Sequence, residues 1–445
     1  MHERQSLVRD GRATRFFHRR RLAGRRSFGQ TSAVAPDVLE LYRRHLGEGQ
    51  GRVAAMLNTP LEVGATGSVV HTADGRELLN CGGYGVFFVG AGHPRVLAAV
   101  RDQLERQALS TRVLLNEPAA RAAAALTSVA PSGLTKVHFS NSGAEAVETA
   151  IKIARANGRH RLVSMHSGYH GKTIGALSLT ARALYQDPFR PLLPEVRHVR
   201  FGDLAGLAEV VDGDTCVVVE PVQSEGGVVI PEPGYLGAVA ALCHDRGALL
   251  VLDEVMTGMG RLGTWWGADR DGVRPDLLLV GKALSGGLVP VAATLATADV
   301  FAPFDKDPYL HTSTFSANPL AMAAVRATVE VIRDEGLVDR AAGLGDRLLT
   351  ALTSAVRAIG HLVAEVRGAG LLVGVEFRNG QHAAEFLMDL LDNDVVVNHS
   401  MNAHPVLRLT PPATMTTADE ARLIASIDRA CAALAARFPA PGATG

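Results

Sequence analysis

One stretch of the chain, residues 249–288, constrains the fold more than any other. It contains two short apolar runs, at 249–252 and at 277–280, and each run stops at turn-forming or charged residues. Runs of four apolar residues separated by helical patterns are typical of buried parallel strands rather than of surface strands. The sequence therefore predicts an α/β fold with a mostly parallel central sheet.

Each of these two strands delivers an ionisable group to its carboxyl end. The first run stops at Asp253 and Glu254, and the second stops at Gly281 and Lys282. Ligands bind at this edge of open α/β sheets. A carboxylate and an amine placed there can form an ordinary ion pair. They are also what pyridoxal 5'-phosphate requires: a lysine for the Schiff base and an aspartate that keeps the pyridinium nitrogen protonated.

Composition limits the class of protein. The 445 residues exceed one ordinary core, so we expect two domains around one site. The formal net charge is zero and no apolar run reaches the roughly 20 residues that span a membrane, so neither nucleic acid nor a membrane is an expected partner. The four cysteines show no C-x-x-C spacing, which favours reduced thiols in a cytoplasmic protein, and no metal site is predicted.

The predicted domain boundaries follow changes in sequence character. Arginine-rich residues 1–35 are predicted to form a flexible arm, and residues 438–445 a tail. Between them, we expect a large cofactor-binding domain at 81–332. A smaller α+β domain would combine residues 36–80, which include a hairpin at Asp74–Gly75, with residues 333–437. In the C-terminal part of this smaller domain, residues 406–412 are predicted to form an edge strand that ends in prolines.

A second candidate site lies at residues 137–158. A short strand runs into Ser-Asn-Ser-Gly, and Ser142 with Glu145 three residues later forms a capping box at the start of a helix. Unpaired N–H groups at such a helix start bind anions, although most capped helices hold no phosphate. Together with Lys282, this helix start favours a cofactor that carries a phosphate.

Several loop residues have both an ordinary and a functional interpretation. Tyr169 is either a packed aromatic side chain or one that stacks on a flat ligand. Glu225 follows the buried strand that ends at Glu220, and a loop glutamate of this kind is usually solvated. Tyr84 lies in a glycine-rich loop that forms either a tight connection or one wall of a ligand site.

The order and spacing of seven motifs make the chain resemble a known family. From about residue 55 to 435 it resembles the class III, or ω-amino acid, aminotransferases of the pyridoxal-phosphate fold-type I superfamily. It is similar above all to ornithine, acetylornithine and putrescine aminotransferases. The motifs are SNSGAEAVETAIKIAR (140–155), GYHGKT (168–173), EPVQSEGGVVIPEPGY (220–235), DEVMTGMGRLG (253–263), PDLLLVGKALSGGLVP (275–290), STFSANPLA (313–321) and LRLTPP (407–412).

The resemblance implies the cofactor pyridoxal 5'-phosphate and a role for each residue that matches a motif. Lys282 would form the Schiff base and then act as the general base, and Asp253 would bond the pyridine nitrogen. Tyr169 would stack on the ring. Ser142, Gly143 and Ala144 would hold the phosphate. The further cofactor-binding residues would be His170, Glu220, Val255, Met256 and, across a subunit interface, Thr314.

The resemblance also implies the substrates and the assembly. Arg408 would bind the carboxylate of 2-oxoglutarate or glutamate, and Glu225 would pair with Arg408 when the amino donor is bound. Tyr84 would line the substrate pocket. The expected reaction moves an amino group from an ω-amine, diamine or ω-amino acid to 2-oxoglutarate by a ping-pong mechanism. Because Thr314 would complete the neighbouring site, a homodimer or a tetramer is expected.

Three positions depart from the ornithine-type pattern, namely Met256, Lys172 and Asn58. The last two weaken ornithine itself as the donor. Met256 also suits an aminomutase or epimerase on the same fold, and that reaction is the alternative. A scaffold protein without activity is disfavoured because Lys282 and Asp253 are both present.

Overall fold

The computed structural model describes residues 36–440, so the predicted arginine-rich arm and residues 441–445 of the predicted tail lie outside the described residues. The described chain forms two compact units. One comprises residues 36–64 and Val70–Leu78, and the other comprises Ala65–Val69 and residues 79–440. Among residues 36–440, no helix has both the length and the apolar character needed to cross a membrane.

The first unit contains two α-helices, a π-helical segment at Tyr42–Leu46 and parts of three strands. The hairpin expected at Asp74–Gly75 is confirmed: Gly75 has a φ of 81°, and the Thr72 N–H donates to the Arg76 carbonyl at 3.1 Å. Glycine adopts such a positive φ without strain. The elements are α1 (Pro36–Leu41), α2 (Glu48–Leu57), β1 (Glu62–Thr66), β2 (Val69–Thr72) and β3 (Glu77–Asn80).

The centre of the second unit is a seven-stranded sheet, which confirms the predicted α/β class. Its strand order is β4-β10-β9-β8-β7-β5-β6, and all neighbours run parallel except β10, which is antiparallel to both β4 and β9. The strands are β4 (Leu134–Ser140), β5 (Arg161–Met165), β6 (Val196–Val199), β7 (Thr215–Val219), β8 (Leu249–Asp253), β9 (Leu277–Val280) and β10 (Ala292–Thr297).

Burial on both faces explains the continuous apolar run of β8. Leu250 and Leu252 pack into one apolar cluster, and Leu249 and Val251 pack into a second cluster on the other face. Each fully buried side chain of this size contributes about 2 kcal/mol to the free energy of unfolding. In the parallel register Asp253 lies opposite Leu279 of β9, so the two strands end at the same edge of the sheet.

Several helices of this region begin at a residue whose side chain accepts a hydrogen bond from the first turn, namely Asn116, Ser142, Asp203 and Asn318. Helix α11 illustrates this, because the Asn318 side chain accepts a hydrogen bond from the Ala321 N–H at 2.9 Å and Pro319 occupies the first helical position. The helices of this region are α3 (Pro94–Arg106), α4 (Glu117–Thr127), α5 (Gly143–Ala156), α6 (Ile174–Leu179), α7 (Ala183–Gln186), α8 (Leu204–Ala208), α9 (Tyr235–Arg246), α10 (Ala298–Lys306) and α11 (Pro319–Asp334).

A smaller antiparallel sheet follows in the C-terminal part, with helices beside it. Its order is β11-β12-β15-β14, so β15 lies inside the sheet, and the expectation that 406–412 forms an edge strand is wrong. The two-residue strand β14 covers that edge. The elements are α12 (Leu337–Ala355), β11 (Val363–Ala369), β12 (Leu372–Phe377), α13 (Gly380–Asp392), β13 (Val395–Val396), β14 (Asn398–His399), β15 (Val406–Leu409) and α14 (Thr417–Arg437).

The C-terminal part also pairs with residues from early in the chain. Val395 and Val396 of β13 run parallel to Leu79 and Asn80, which end β3. The predicted smaller domain, which combines residues 36–80 with residues 333–437, stays a prediction. The detailed boundaries at residues 80, 332 and 437 stay a prediction.

Candidate active site

A cavity of about 520 Å³ lies at the carboxyl end of β8 and β9. This volume is in the range of sites that hold cofactors and small substrates. Most of the sequence-predicted site residues line it, and Tyr84, Thr314 and Arg408 are the exceptions. The predicted residues that line the cavity are Ser142, Gly143, Ala144, Tyr169, His170, Glu220, Glu225, Asp253, Val255, Met256 and Lys282.

Lys282 enters the cavity from a strained backbone position. Its φ is 44°, in the left-handed region that side chains other than glycine rarely adopt. Such strain concentrates at functional sites, where the surrounding structure holds it. Burial lowers the pKa of Lys282, and the charge of Arg408 lowers this pKa too, while the carboxylates of Glu225 and Asp253 oppose the shift. A lowered pKa is what a lysine needs to act as a base near neutral pH.

Asp253 and His170 form a buried pair in the wall of the cavity. The Asp253 Oδ2 lies 2.7 Å from His170 Nδ1, and Asp253 Oδ1 accepts from the Val255 N–H at 3.1 Å. Burial opposes a charged imidazole, but the hydrogen bond to Asp253 and its charge outweigh burial and raise the pKa of His170. His170 therefore holds the Asp253 carboxylate in place, a role that no sequence signal revealed.

The start of α5 forms the predicted capping box. The Glu145 N–H donates to Ser142 Oγ at 3.3 Å, and the Ser142 N–H donates to Glu145 Oε2 at 3.1 Å. The N–H groups of Gly143 and Ala144 belong to the first turn, where a helix offers them no internal partner. Since both residues line the cavity, this helix start is a suitable anion site. Asn141, which the sequence analysis did not single out, lines the cavity beside them.

Glu220 is a buried carboxyl group next to the Asp253–His170 pair. Its Oε2 accepts from the Tyr169 N–H at 3.1 Å, and its Oε1 accepts from the Ser224 N–H at 3.3 Å. Burial raises the pKa of Glu220 to about 7, and the charge of His170 only partly offsets this effect. Glu220 thus anchors two loops of the cavity and titrates near neutral pH.

The Glu220 pKa predicts a specific pH dependence of stability. The pKa of Glu220 is 4.5 in the unfolded chain and about 7 in the folded protein. The unfolded state therefore releases this proton first, and the folded state loses about 3 kcal/mol of relative stability as the pH rises through this interval. In Glu220→Gln that loss is absent. We expect the melting temperature of Glu220→Gln, relative to wild type, to rise between pH 4.5 and 7.

The control for this prediction is Glu232→Gln, because Glu232 is exposed. Its melting temperature should differ from that of wild type by the same amount at every pH. Parallel melting curves for Glu220→Gln and wild type across the interval would contradict the prediction.

Arg408 and Glu225 lie together in the interior. Arg408 is completely buried on β15, and its Nη2 lies 2.7 Å from Glu225 Oε1. The other oxygen, Glu225 Oε2, accepts from the Met401 N–H at 2.8 Å. The pair suggested by the resemblance is therefore present, although Arg408 itself lies behind the residues that line the cavity.

Two predicted residues lie apart from the cavity in this chain. Tyr84 is 54% exposed in the turn Gly83–Gly85, and its N–H donates to Asn398 Oδ1 at 3.2 Å. Thr314 is exposed as well. Their roles in substrate binding and in a neighbouring site stay predictions.

Two of the three residues that depart from the ornithine-type pattern, Met256 and Lys172, line the cavity. Met256 packs closely on Gly85, where an added Cβ would lie only 2.5 Å from the Met256 sulfur. Lys172 lies over the Tyr185 ring, with Nζ 4.1 Å from the ring centroid. Asn58 belongs to the first compact unit, in which it ends α2.

Together these residues fit pyridoxal 5'-phosphate. The cavity contains a lysine amine and a buried carboxylate, and the first turn of a helix opens into it. These groups match an aldehyde, a pyridine nitrogen and a phosphate respectively. The fold and the site thus define an enzyme of the pyridoxal-phosphate type.

Comparison with known proteins supports the assignment to the pyridoxal-phosphate enzymes. Residues 55–431 match the model of the family "Aminotransferase class-III". The chain is 39% identical over 412 residues to the putrescine aminotransferase of Pectobacterium atrosepticum, with 88% of each chain covered. The ornithine aminotransferase of Toxoplasma gondii, crystallised with oxidized glutathione and with pyridoxal phosphate partially occupying its active site, has 30% identity. Its TM-score is 0.81, with 90% of this chain and 97% of that chain covered.

A third relative is the ornithine delta-aminotransferase of Plasmodium falciparum, with 29% identity, a TM-score of 0.73, and 84% and 93% of the two chains covered. The chain therefore belongs to the class III aminotransferases. It is a transaminase whose cofactor is pyridoxal 5'-phosphate, as predicted.

Proposed function

We propose that this enzyme transfers an amino group from an ω-amine, diamine or ω-amino acid to 2-oxoglutarate, and so forms an aldehyde and glutamate. The observation that carries the proposal is the completely buried Arg408 with Glu225 beside it. A buried guanidinium is a costly feature that suits the bidentate binding of a carboxylate. The similarity to a putrescine aminotransferase and to ornithine aminotransferases supports the class of donor.

The Arg408–Glu225 pair offers one site to two different substrates. When a donor without a carboxylate at that end is bound, Glu225 neutralises Arg408. When 2-oxoglutarate is bound, its distal carboxylate takes the place of Glu225 beside the guanidinium. Because the two substrates use the same site in turn, a ping-pong mechanism follows.

The cofactor-binding residues divide into three groups. Asp253 would hold the pyridine nitrogen, and His170 would keep its carboxylate in place. Ser142, Gly143 and Ala144 would bind the phosphate, and Tyr169 and Val255 would contact the ring. When bound, pyridoxal 5'-phosphate supplies an aldehyde that reacts with amines and a ring that accepts electrons. Lys282 would move the proton at the substrate carbon, and its lowered pKa supports that role.

The apolar part of the cavity wall supports a donor with a methylene chain. Val86, Met256, Leu288 and Val289 all line the cavity. Their side chains favour CH₂ groups, each worth about 0.8 kcal/mol when buried. A diamine or an ω-amino acid fits this wall better than a polar donor does.

The assay that tests the proposal supplies the cofactor-loaded protein with 2-oxoglutarate and a panel of donors: putrescine, ornithine, N-acetylornithine, lysine and GABA. We expect glutamate from at least one donor, formed in two separable half-reactions. The matched control is alanine, which lacks a distal amine. If amines alter the absorbance of the bound cofactor and yet no glutamate forms, 2-oxoglutarate is not the acceptor. A rearranged or epimerised amine would then favour the aminomutase or epimerase alternative.

We also propose a homodimer in which Thr314 completes the neighbouring site. Exposed apolar side chains beside Thr314 support an interface there, namely Tyr309, which is 86% exposed, and Phe315, which is 55% exposed. The proposed cytoplasmic location is supported by the four cysteines, all of which are free thiols.

Complementation tests the shared site. Lys282→Ala and Thr314→Glu subunits should each be inactive alone, the second because its carboxylate repels a phosphate. In a mixed dimer, one site combines an intact Lys282 with the partner's intact Thr314. Random mixing should therefore restore about a quarter of wild-type activity. An active monomer, or no recovered activity in mixed dimers, would contradict the proposal.

A further inference from the structure

The hydrogen bonds of Arg408 are unevenly distributed around its guanidinium group. Nη1 donates to Ser224 Oγ at 2.8 Å, which is a directed hydrogen bond. The contact between Nη2 and Glu225 is short but poorly aligned. Among the described residues, neither Nε nor Nη2 has a hydrogen-bond partner. The Nε–Nη2 edge of Arg408 is therefore buried without a well-aligned acceptor.

Ser224 occupies a firmly fixed position. It is 1% exposed, and its N–H donates to Glu220 Oε1. Its carbonyl accepts from the N–H groups of Gly227 at 3.3 Å and Val228 at 3.2 Å. The Ser400 hydroxyl also donates to this carbonyl, at 3.4 Å. Because the backbone of Ser224 is held on both sides, its hydroxyl has one well-defined place next to Nη1.

We propose that Ser224 is a positioning residue that holds Arg408 by Nη1 and so presents the Nε–Nη2 edge to the dicarboxylic keto acid. This inference rests on the proposed function, since it assumes that Arg408 binds 2-oxoglutarate. A carboxylate bonds two adjacent guanidinium nitrogens at once, and such a pair of bonds requires a fixed guanidinium plane. Glu225 cannot fix that plane, because it must leave Arg408 when the keto acid arrives.

Loss of the Ser224 hydroxyl should affect only one half of the reaction. In Ser224→Ala, Arg408 retains Glu225 as its charged neighbour and can turn toward it. The Arg408–Glu225 contact should then tighten and resist replacement by a substrate carboxylate. Binding of an amine donor, during which Glu225 stays in place, should not change.

The experiment measures binding of glutarate to the cofactor-loaded enzyme by calorimetry, together with the kinetics of each half-reaction. Glutarate has the two carboxylates of 2-oxoglutarate and no keto group. We expect Ser224→Ala to bind glutarate about tenfold more weakly, as the loss of one hydrogen bond to a charged group implies. The KM for 2-oxoglutarate should rise by a similar factor, while the rate and the KM of the amine half-reaction stay at the wild-type values.

Two further variants separate the hydrogen bond from packing. Ser426→Ala removes a hydroxyl that is equally buried but donates to the Asn393 carbonyl at 2.9 Å and takes no part in holding Ser224, so it should bind glutarate like wild type. Ser224→Cys retains most of the side-chain volume but is a weak acceptor, so it should behave like Ser224→Ala.

Each outcome is decisive. If Ser224→Ala binds glutarate as tightly as wild type does, or if Ser224→Cys restores binding, the positioning role is wrong while the proposed function stands. If wild type itself binds no glutarate and makes no glutamate, 2-oxoglutarate is not the acceptor. The proposed role of Ser224 is then wrong as well.

Discussion

Replacement of Lys282 by alanine should reduce transaminase activity by about 10⁴-fold, the upper range for the loss of a positioned acid–base group. The physical reason is that the cavity would lose the Lys282 amine, whose pKa burial lowers. Asp253, with its hydrogen bond from the Val255 N–H, and the first turn of α5 remain in the variant. We therefore expect Lys282→Ala still to bind pyridoxal 5'-phosphate, but without a covalent bond to the chain.

Borohydride reduction followed by peptide mass analysis measures that covalent bond directly. Wild type should carry the reduced cofactor on the peptide that contains Lys282, and Lys282→Ala should carry none. Lys136→Ala is the matched control, because Lys136 pairs with Asp305 at the surface, with Nζ and Oδ2 2.7 Å apart. The assignment fails if the variant remains active, or if the cofactor is found on another lysine such as Lys172.

Replacement of Arg408 by alanine should weaken the binding of 2-oxoglutarate by about 100-fold, because two charge-assisted hydrogen bonds to the carboxylate are lost. The same change leaves Glu225, itself 4% exposed, as a buried carboxylate without its cation. Breaking a buried ion pair in this way costs about 3 kcal/mol or more of stability. The amine half-reaction should slow much less than the half-reaction with the keto acid.

The double variant Arg408→Ala/Glu225→Ala separates these two effects. It removes the unpaired carboxylate, so its melting temperature should recover toward that of wild type. Its affinity for 2-oxoglutarate should stay low, because the guanidinium is still absent. Recovery of keto-acid affinity in the double variant would show that Arg408 does not bind the carboxylate.

Local patterns were sufficient to predict the framework of this enzyme. The apolar runs that became β8 and β9 end at Asp253 and Lys282, and parallel strands bring such ends to one edge whatever the details of packing. The capping box of Ser142 and Glu145 is likewise a short-range hydrogen-bond pattern, and the structure contains it as predicted. The motif order from residues 140 to 412 was enough to identify the family, and the family model confirms it.

Contacts between distant segments could not be predicted in the same way. His170 and Asp253 are separated by 83 positions, and Arg408 and Ser224 by 184. The position of β15 inside its sheet depends on its pairing with the two-residue strand β14, and a pairing between strands is not a local pattern.

The sequence by itself determined the class of fold, the family and the cofactor, because these depend on periodicity, capping and motif order along the chain, and it predicted the residues that would carry the chemistry. Only the tertiary structure decided how those residues are held. It paired His170 with Asp253, buried Glu220 so that its pKa rises, and brought the Ser224 hydroxyl within hydrogen-bond distance of Arg408. The physical reason is that burial and hydrogen-bond geometry arise where separate elements pack together, and neither is a property of any single stretch of sequence.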